Sequence, residues 1–169
     1  MILGFLLILA LFFGLGALMG APYLPILRRD QASLLELCEL KPGQTLLDLG
    51  SGDGRLLRLA ASRGIRGIGY EINPLVYLVS LVVCWPYRRL IKLHLADFWQ
   101  VRLPEADVIY VFLIDHYMAK LDRKLIAELK RPTPVVSFVF KIPGREAIKS
   151  TRNASRYEYP ASASALMTK

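Results

Sequence analysis

The 169-residue sequence predicts a doubly wound α/β fold, a mostly parallel sheet preceded by an N-terminal transmembrane helix. Three observations predict it. The stretch Asp48-Leu49-Gly50-Ser51-Gly52-Asp53-Gly54 follows a short apolar run, Thr45–Leu47, and precedes Arg55–Arg63, where Leu56, Leu57, Leu59 and Ala60 keep a helical period. Strand, glycine turn, helix is the opening unit of a Rossmann-like nucleotide-binding sheet. Beyond it, apolar runs and helical periods alternate as β-α-β-α-β-β-α-β, which calls for right-handed crossovers in one sheet. At the front, Ile2–Ala21 is almost wholly apolar, about the length a helix needs to cross the ~30 Å hydrocarbon layer.

Residues 1–27 divide from 28–169 on charge. Met1 to Leu27 holds no Asp, Glu, Lys, Arg or His. Pro22 and Pro25 end the apolar run and make a hinge. A cleaved signal peptide would want a basic n-region and a shorter apolar core, so the run is expected to stay as a single-pass anchor. Arg28 and Arg29 follow at once and place the domain on the cytoplasmic, or matrix-equivalent, side. The net charge of +8 belongs to the remaining domain. It suits anionic lipid, where each surface cation contributes about 1 kcal/mol. Nucleic acid is the other partner of a basic domain, but no basic stretch interleaves with aromatics like a stacking platform. Membrane lipid is therefore the expected partner, and nucleic acid is not. Cys38 and Cys84 stand in apolar contexts without metal-type spacing, so neither a metal nor a disulfide is expected.

Asp30–Leu40 reads as an amphipathic helix with Leu34, Leu35, Leu37 and Leu40 on one side, ended by Lys41-Pro42-Gly43. Gly67–Glu71 reads as a second strand that finishes on an acid. Asn73 can cap and Pro74 can open the next helix, Leu75–Trp85, which is apolar on nearly every side. Such a helix is either a covered core helix or one dipping into a lipid interface, with Tyr87, Arg88, Arg89 and Lys92 at headgroup level. Leu90–Ala96 is the third strand and Asp107–Ile114 the fourth. Met118–Leu129 is a helix with Leu121, Leu125 and Leu129 in a stripe. Val135–Phe140 is the fifth strand, and Arg156–Tyr159 with Ala165–Thr168 could close the sheet as an antiparallel pair.

The spacing of the glycine turn narrows the ligand. A dinucleotide fingerprint would put its third glycine where Arg55 stands, and a P-loop would end in Gly-Lys-Ser/Thr. The sequence here is D-x-G-x-G-x-G, which resembles the first motif of class I S-adenosylmethionine (SAM) methyltransferases. Leu46–Arg55 is followed by Gly69-Tyr70-Glu71-Ile72-Asn73-Pro74 and then Ala96-Asp97-Phe98-Trp99, with Tyr23-Leu24-Pro25 ahead of them. In that order they resemble the membrane-anchored protein-lysine methyltransferases whose mitochondrial members modify the adenine nucleotide translocase and the c-subunit of ATP synthase. The departure comes after strand four: that family tends to have a Gly and a Pro there, and this chain has Phe112-Leu113-Ile114-Asp115-His116.

The resemblance implies SAM as cofactor. Asp48, Gly50, Ser51, Gly52, Asp53 and Gly54 would hold its amino-acid end. Glu71, with Asn73 behind it, would take the ribose hydroxyls. Asp97 would meet the adenine amino group with Phe98 or Trp99 beside the ring. A cap on the following turn is the other reading of Asp97, and a core position that of Trp99. Asp115 and His116 are candidates for a base that deprotonates an acceptor lysine, or else a helix cap and a solvated ring. Three functions stay open: a protein-lysine methyltransferase acting on an integral membrane protein near the bilayer, a methyltransferase for a lipid or quinone-type molecule, and a SAM-binding module without turnover.

Overall fold

The structure, a computed structural model, describes residues 28–162. Helix α1 spans Arg28–Cys38, followed by β1 (Thr45–Leu49), α2 (Arg55–Ser62), β2 (Arg66–Glu71), α3 (Pro74–Cys84), a 3₁₀ turn (Trp85–Tyr87) and β3 (Ile91–Leu95). The second half holds β4 (Val108–Val111), α4 (Asp115–Glu128), β5 (Thr133–Phe138), β6 (Lys149–Ser150) and β7 (Ala154–Tyr159). The strands form one mixed sheet in the order β3-β2-β1-β4-β5-β7-β6. Strands β1 to β5 run parallel, and β7 is antiparallel to both β5 and β6.

Composition explains why β1 lies in the middle. Its Leu46, Leu47 and Leu49 are fully buried, because a parallel strand covered on both faces has no side for a polar alternation. Leu46 packs with Leu34, Leu37, Leu56, Leu57 and Ala60 under α1 and α2. Leu47 and Leu49 pack on the other face against Met118, Leu121 and Leu125 of α4. Leu49 lies opposite Tyr70 and Val111, so the turn at Gly50 leaves the sheet level with the ends of β2 and β4.

The β5 end is a tight turn. Phe140 N–H donates to Phe138 C=O at 2.9 Å, closing a γ-turn around Val139. Val139 has φ +68°, a left-handed conformation in which a β-branched residue is a genuine outlier. Its N–H is held by Asn153 C=O at 2.7 Å, and Ser137 Oγ donates to Phe140 C=O at 2.6 Å.

Several expectations are corrected. The expected fold class included an N-terminal transmembrane helix, but no helix among the described residues is long and apolar enough to cross a membrane. The apolar α3 has 11 residues, and the longest helix, α4, has 14 and carries charge throughout. The run Ile2–Ala21 lies outside the described residues, so the fold that stands is the mixed seven-stranded Rossmann-like sheet. The expected closing pair is replaced by β7 inserted between β5 and β6; Ala165–Thr168 also lies outside the described residues. Helix α4 starts at Asp115, three residues earlier than its apolar stripe indicated.

Candidate functional site

The strand order reverses between β1 and β4, and in open α/β sheets the ligand crevice lies at the carboxyl ends of strands at such a point. Gly50 has φ +95°, and a Cβ built on it would meet nothing within 4 Å, so the backbone presents an open face there. Gly54 is left-handed for a different reason. It is the N-cap of α2, and a Cβ would come within 2.6 Å of Cys84 Sγ on α3. The N–H groups of Gly50, Ser51, Gly52 and Gly54 are already engaged within the protein. Gly50 and Ser51 donate to Tyr70 C=O at 3.0 and 2.8 Å, Gly52 to Glu71 Oε2 at 2.9 Å, and Gly54 to Ser51 C=O at 2.9 Å. The loop is a braced surface against which a ligand can lie.

Glu71 is the group this bracing fixes. Its Oε2 accepts from Gly52 N–H and its Oε1 from Asn73 N–H at 2.8 Å. An ionised carboxylate has about four acceptor sites, so beside its backbone donors Glu71 keeps capacity for a ligand hydroxyl. Burial pushes the Glu71 pKa up, against the lowering effect of the Asn73, Gly52 and Ile72 N–H groups. Asn73 is buried and acts from behind: its Oδ1 caps α3 by accepting from Leu75 and Val76 N–H at 2.9 and 3.3 Å.

Beneath the loop lies a buried acid. Asp48 is 2% exposed, and its pKa is pushed up to about 8, first by burial and then by the charges of Glu71 and Asp53. Asp48 Oδ1, Ser51 Oγ and the Tyr110 hydroxyl are all buried with no hydrogen-bond partner. Buried polar atoms without partners are rare in folded proteins and ask for an explanation. Asp53 forms an ion pair with Arg55 at 2.5 Å, which holds the loop's acidic side chain on its own helix. Tyr110 was not among the residues expected at the site. It sits opposite Asp48 in register, and in an apolar strand it reads as core.

The remaining candidates lie beyond β3 and β4. Asp97 caps its own turn, accepting from Trp99 N–H at 2.9 Å and Gln100 Nε2 at 3.1 Å, so the cap reading of Asp97 is realised. Phe98 is buried with its ring 4.4 Å from that of Trp99. Trp99 is half-buried, 6.0 Å from the Tyr117 ring, with Lys120 Nζ 4.2 Å above it. Asp115 and His116 are exposed in the first turn of α4, where an acid suits the helix dipole. The rings of His116 and Tyr117, consecutive in the chain, have their centres 3.9 Å apart. Among the described residues no group of His, Cys, Asp and Glu could hold a metal ion. A separate concavity of about 550 Å³ between α1 and the β6–β7 turn, lined by Asp30, Phe138 and Arg152 among others, shares no residue with the glycine cradle.

These features fit SAM. A flat glycine backbone can take the amino-acid end, Glu71 can take a diol, and the unpartnered Asp48 oxygen offers a counter-charge to an ammonium group. Fold and site thus define a class I SAM-dependent methyltransferase domain. The family model of the ANTKMT methyltransferase domain matches residues 48–149, and the chain belongs to that family.

The human lysine N-methyltransferase of the ATP synthase c-subunit is 28% identical over 124 residues, covering 72% of this chain and 53% of that protein. The mouse adenine nucleotide translocase lysine N-methyltransferase is 36% identical over 127 residues, 72% of this chain and 54% of its own. The chain therefore spans about half the length of these relatives. A protein-lysine N-methyltransferase of Saccharolobus islandicus (strain REY15A) is 30% identical over 135 residues and covered to 84%. Among solved structures, an RNA methyltransferase from Salinibacter ruber in complex with S-adenosyl-L-homocysteine superposes with a TM-score of 0.73 at 27% identity, covering 83% of this chain and 95% of that one.

Proposed function

We propose that this domain transfers the methyl group of SAM to the ε-amine of a lysine in a protein seated at a membrane surface, from the side that holds SAM. The observation that carries the cofactor half is Glu71, braced by two backbone N–H groups beside the open Gly50 face. The lysine half is supported by the names of the relatives, of which the archaeal one is covered almost throughout. The membrane half is supported by the names of the translocase and ATP synthase enzymes.

SAM supplies an electrophilic methyl group on a sulfonium, without a metal. This chain's part is alignment, which can supply a large share of a rate enhancement. The glycine loop and Glu71 fix the cofactor's orientation. The acceptor lysine must arrive neutral, which at about pH 7.4 costs roughly 4 kcal/mol for an amine of pKa near 10.4. Asp115 and His116, exposed in the first turn of α4, would receive its proton. Asp115 with Glu71 and Asp97 would give the strand ends an acidic rim that attracts a cationic side chain to an otherwise basic domain.

Incubating the protein with labelled SAM and a membrane extract, then separating protein, lipid and RNA, tests this reading. Label on protein, released as methylated lysine on hydrolysis, is expected. Label in lipid alone would make a membrane-soluble small molecule the acceptor, and label in RNA alone would align the chain with its Salinibacter neighbour. SAM binding without transfer to any fraction would leave a binding module.

A further inference from the structure

Helix α3 is amphipathic the wrong way round for a water-facing helix. Its buried side is Val76, Ser80 and Cys84, so a hydroxyl is packed inward. Its outward side carries Leu78 (56% exposed), Val79 (42%), Leu81 (39%) and Val82 (76%), and the stripe continues into Trp85 at 63%. The expectation of a covered core helix does not hold for this face. The charge pattern around it has one sign. From Ile72 to Ala96 there is no Asp or Glu, while Arg88 and Arg89 are exposed at the Trp85 end. The Arg88 guanidinium lies 4.7 Å from the centre of the Trp85 ring and donates to Trp85 C=O at 3.3 Å. An indole with a cation beside it, at the end of an aliphatic stripe, matches the layering of a lipid interface: acyl region, aromatic belt, anionic headgroups.

We propose that the face Leu78–Arg89 is a docking surface for a bilayer containing anionic lipid. Helix α3 lies in the interface plane, with Leu78, Val82 and Trp85 below the headgroups and Arg88 and Arg89 among them. Its 11 residues reach about 16 Å, too short to span and suited to lying flat. A second copy of this chain fits the face less well, since pairing it with itself would set the two arginines of one copy near those of the other. The same helix begins at Asn73, whose N–H holds Glu71. Docking through α3 therefore fixes the cofactor site relative to the membrane plane. The proposal rests on the membrane-surface reading above for its setting, and not on methyl transfer.

The chain has two tryptophans, so Trp99→Phe leaves Trp85 as the sole tryptophan, excited selectively beyond the tyrosine absorption band. With this full-length variant, vesicles of phosphatidylcholine mixed with phosphatidylglycerol should shift Trp85 emission to the blue. They should also shield it from aqueous acrylamide, and brominated acyl chains should quench it. Pure phosphatidylcholine should do so at least ten-fold more weakly. Adding Val82→Asp, a change at an exposed position, or Arg88→Glu with Arg89→Glu should abolish the shift. The proposal is overturned if the protein co-sediments with vesicles while Trp85 stays open to acrylamide, if it does not bind at all, or if the shift appears on concentration without lipid, which would mark self-association. Because the readout is fluorescence, it can fail while lysine transfer stands, or succeed while transfer is absent.

Discussion

At the scale of single residues, Asp48 and Glu71 show how one loop gives two carboxylates different roles. Asp48 titrates near 4 when unfolded and at about 8 in the fold, so between those values the folded state binds more protons. Its contribution to stability is complete below about pH 4 and is lost as pH rises through about 8, on the order of 5 kcal/mol at most. Thermal melts of the ligand-free protein should show that decline, and Asp48→Asn should flatten it. Since an ammonium group beside Asp48 favours its charged form, SAM affinity should rise over the same interval, measured by calorimetry. Glu71→Gln and Glu71→Ala should each weaken SAM binding by roughly 10- to 100-fold, the range of a charged hydrogen bond worth about 1.5–3 kcal/mol; equal affinities would remove Glu71 from the site. The acid at each strand end was legible in the sequence because order and spacing carry it. The orphaned Tyr110 hydroxyl was not, because a tyrosine among Val108, Ile109 and Val111 looks like any other core ring.

At the scale of elements, the β1–glycine turn–α2 unit and the apolar β4 were readable because each is local and complete in itself. The start of α4 was not, since its N-cap is Ile114, which supplies no side-chain cap for a reader to find. The strand at Arg156–Tyr159 was read, but not its place in the sheet: β7 pairs with β5 through a register running from Thr133↔Tyr159 to Phe138↔Ala154, a long-range match with no local signature. The exposed side of α3 was left undecided by composition, because an all-apolar helix gives no polar side to orient it. The turn at Val139 yields a prediction of its own. A β-branched residue held left-handed costs about 1–3 kcal/mol, and glycine removes most of that while loosening the unfolded chain by about 0.5–1 kcal/mol. Val139→Gly should therefore raise stability by about 1 kcal/mol in denaturant unfolding. An unchanged midpoint would mean that the neighbouring turn absorbs the strain.

At the scale of the whole molecule, Arg156 joins the first described helix to the last strand. Its buried guanidinium donates from Nη1 to Leu37 and Cys38 C=O at 3.0 Å, at the carbonyl end of α1. It also pairs with Glu39 at 3.1 Å and Glu158 at 3.5 Å. Glu39 and Glu158 are half-exposed, so the cost of Arg156→Ala falls on the Leu37 and Cys38 C=O groups left without a donor, about 1–3 kcal/mol each; the variant should melt at a lower temperature and expose Cys38 to thiol reagents. The sheet order has a last consequence. Strand β6 is two residues long and offers little to pair with, whereas β3 runs for five residues and, among the described residues, bonds only β2, leaving its outer row of backbone groups unpaired by them. An open edge of this kind invites another strand, and an exposed lysine on it is a common guard against fibrils. Lys92, with exposed Leu95 nearby, holds that post here. Replacing it with valine should leave the monomer's melting point almost unchanged yet bring on light scattering and thioflavin fluorescence on standing, a colloidal failure in a molecule whose fold is intact.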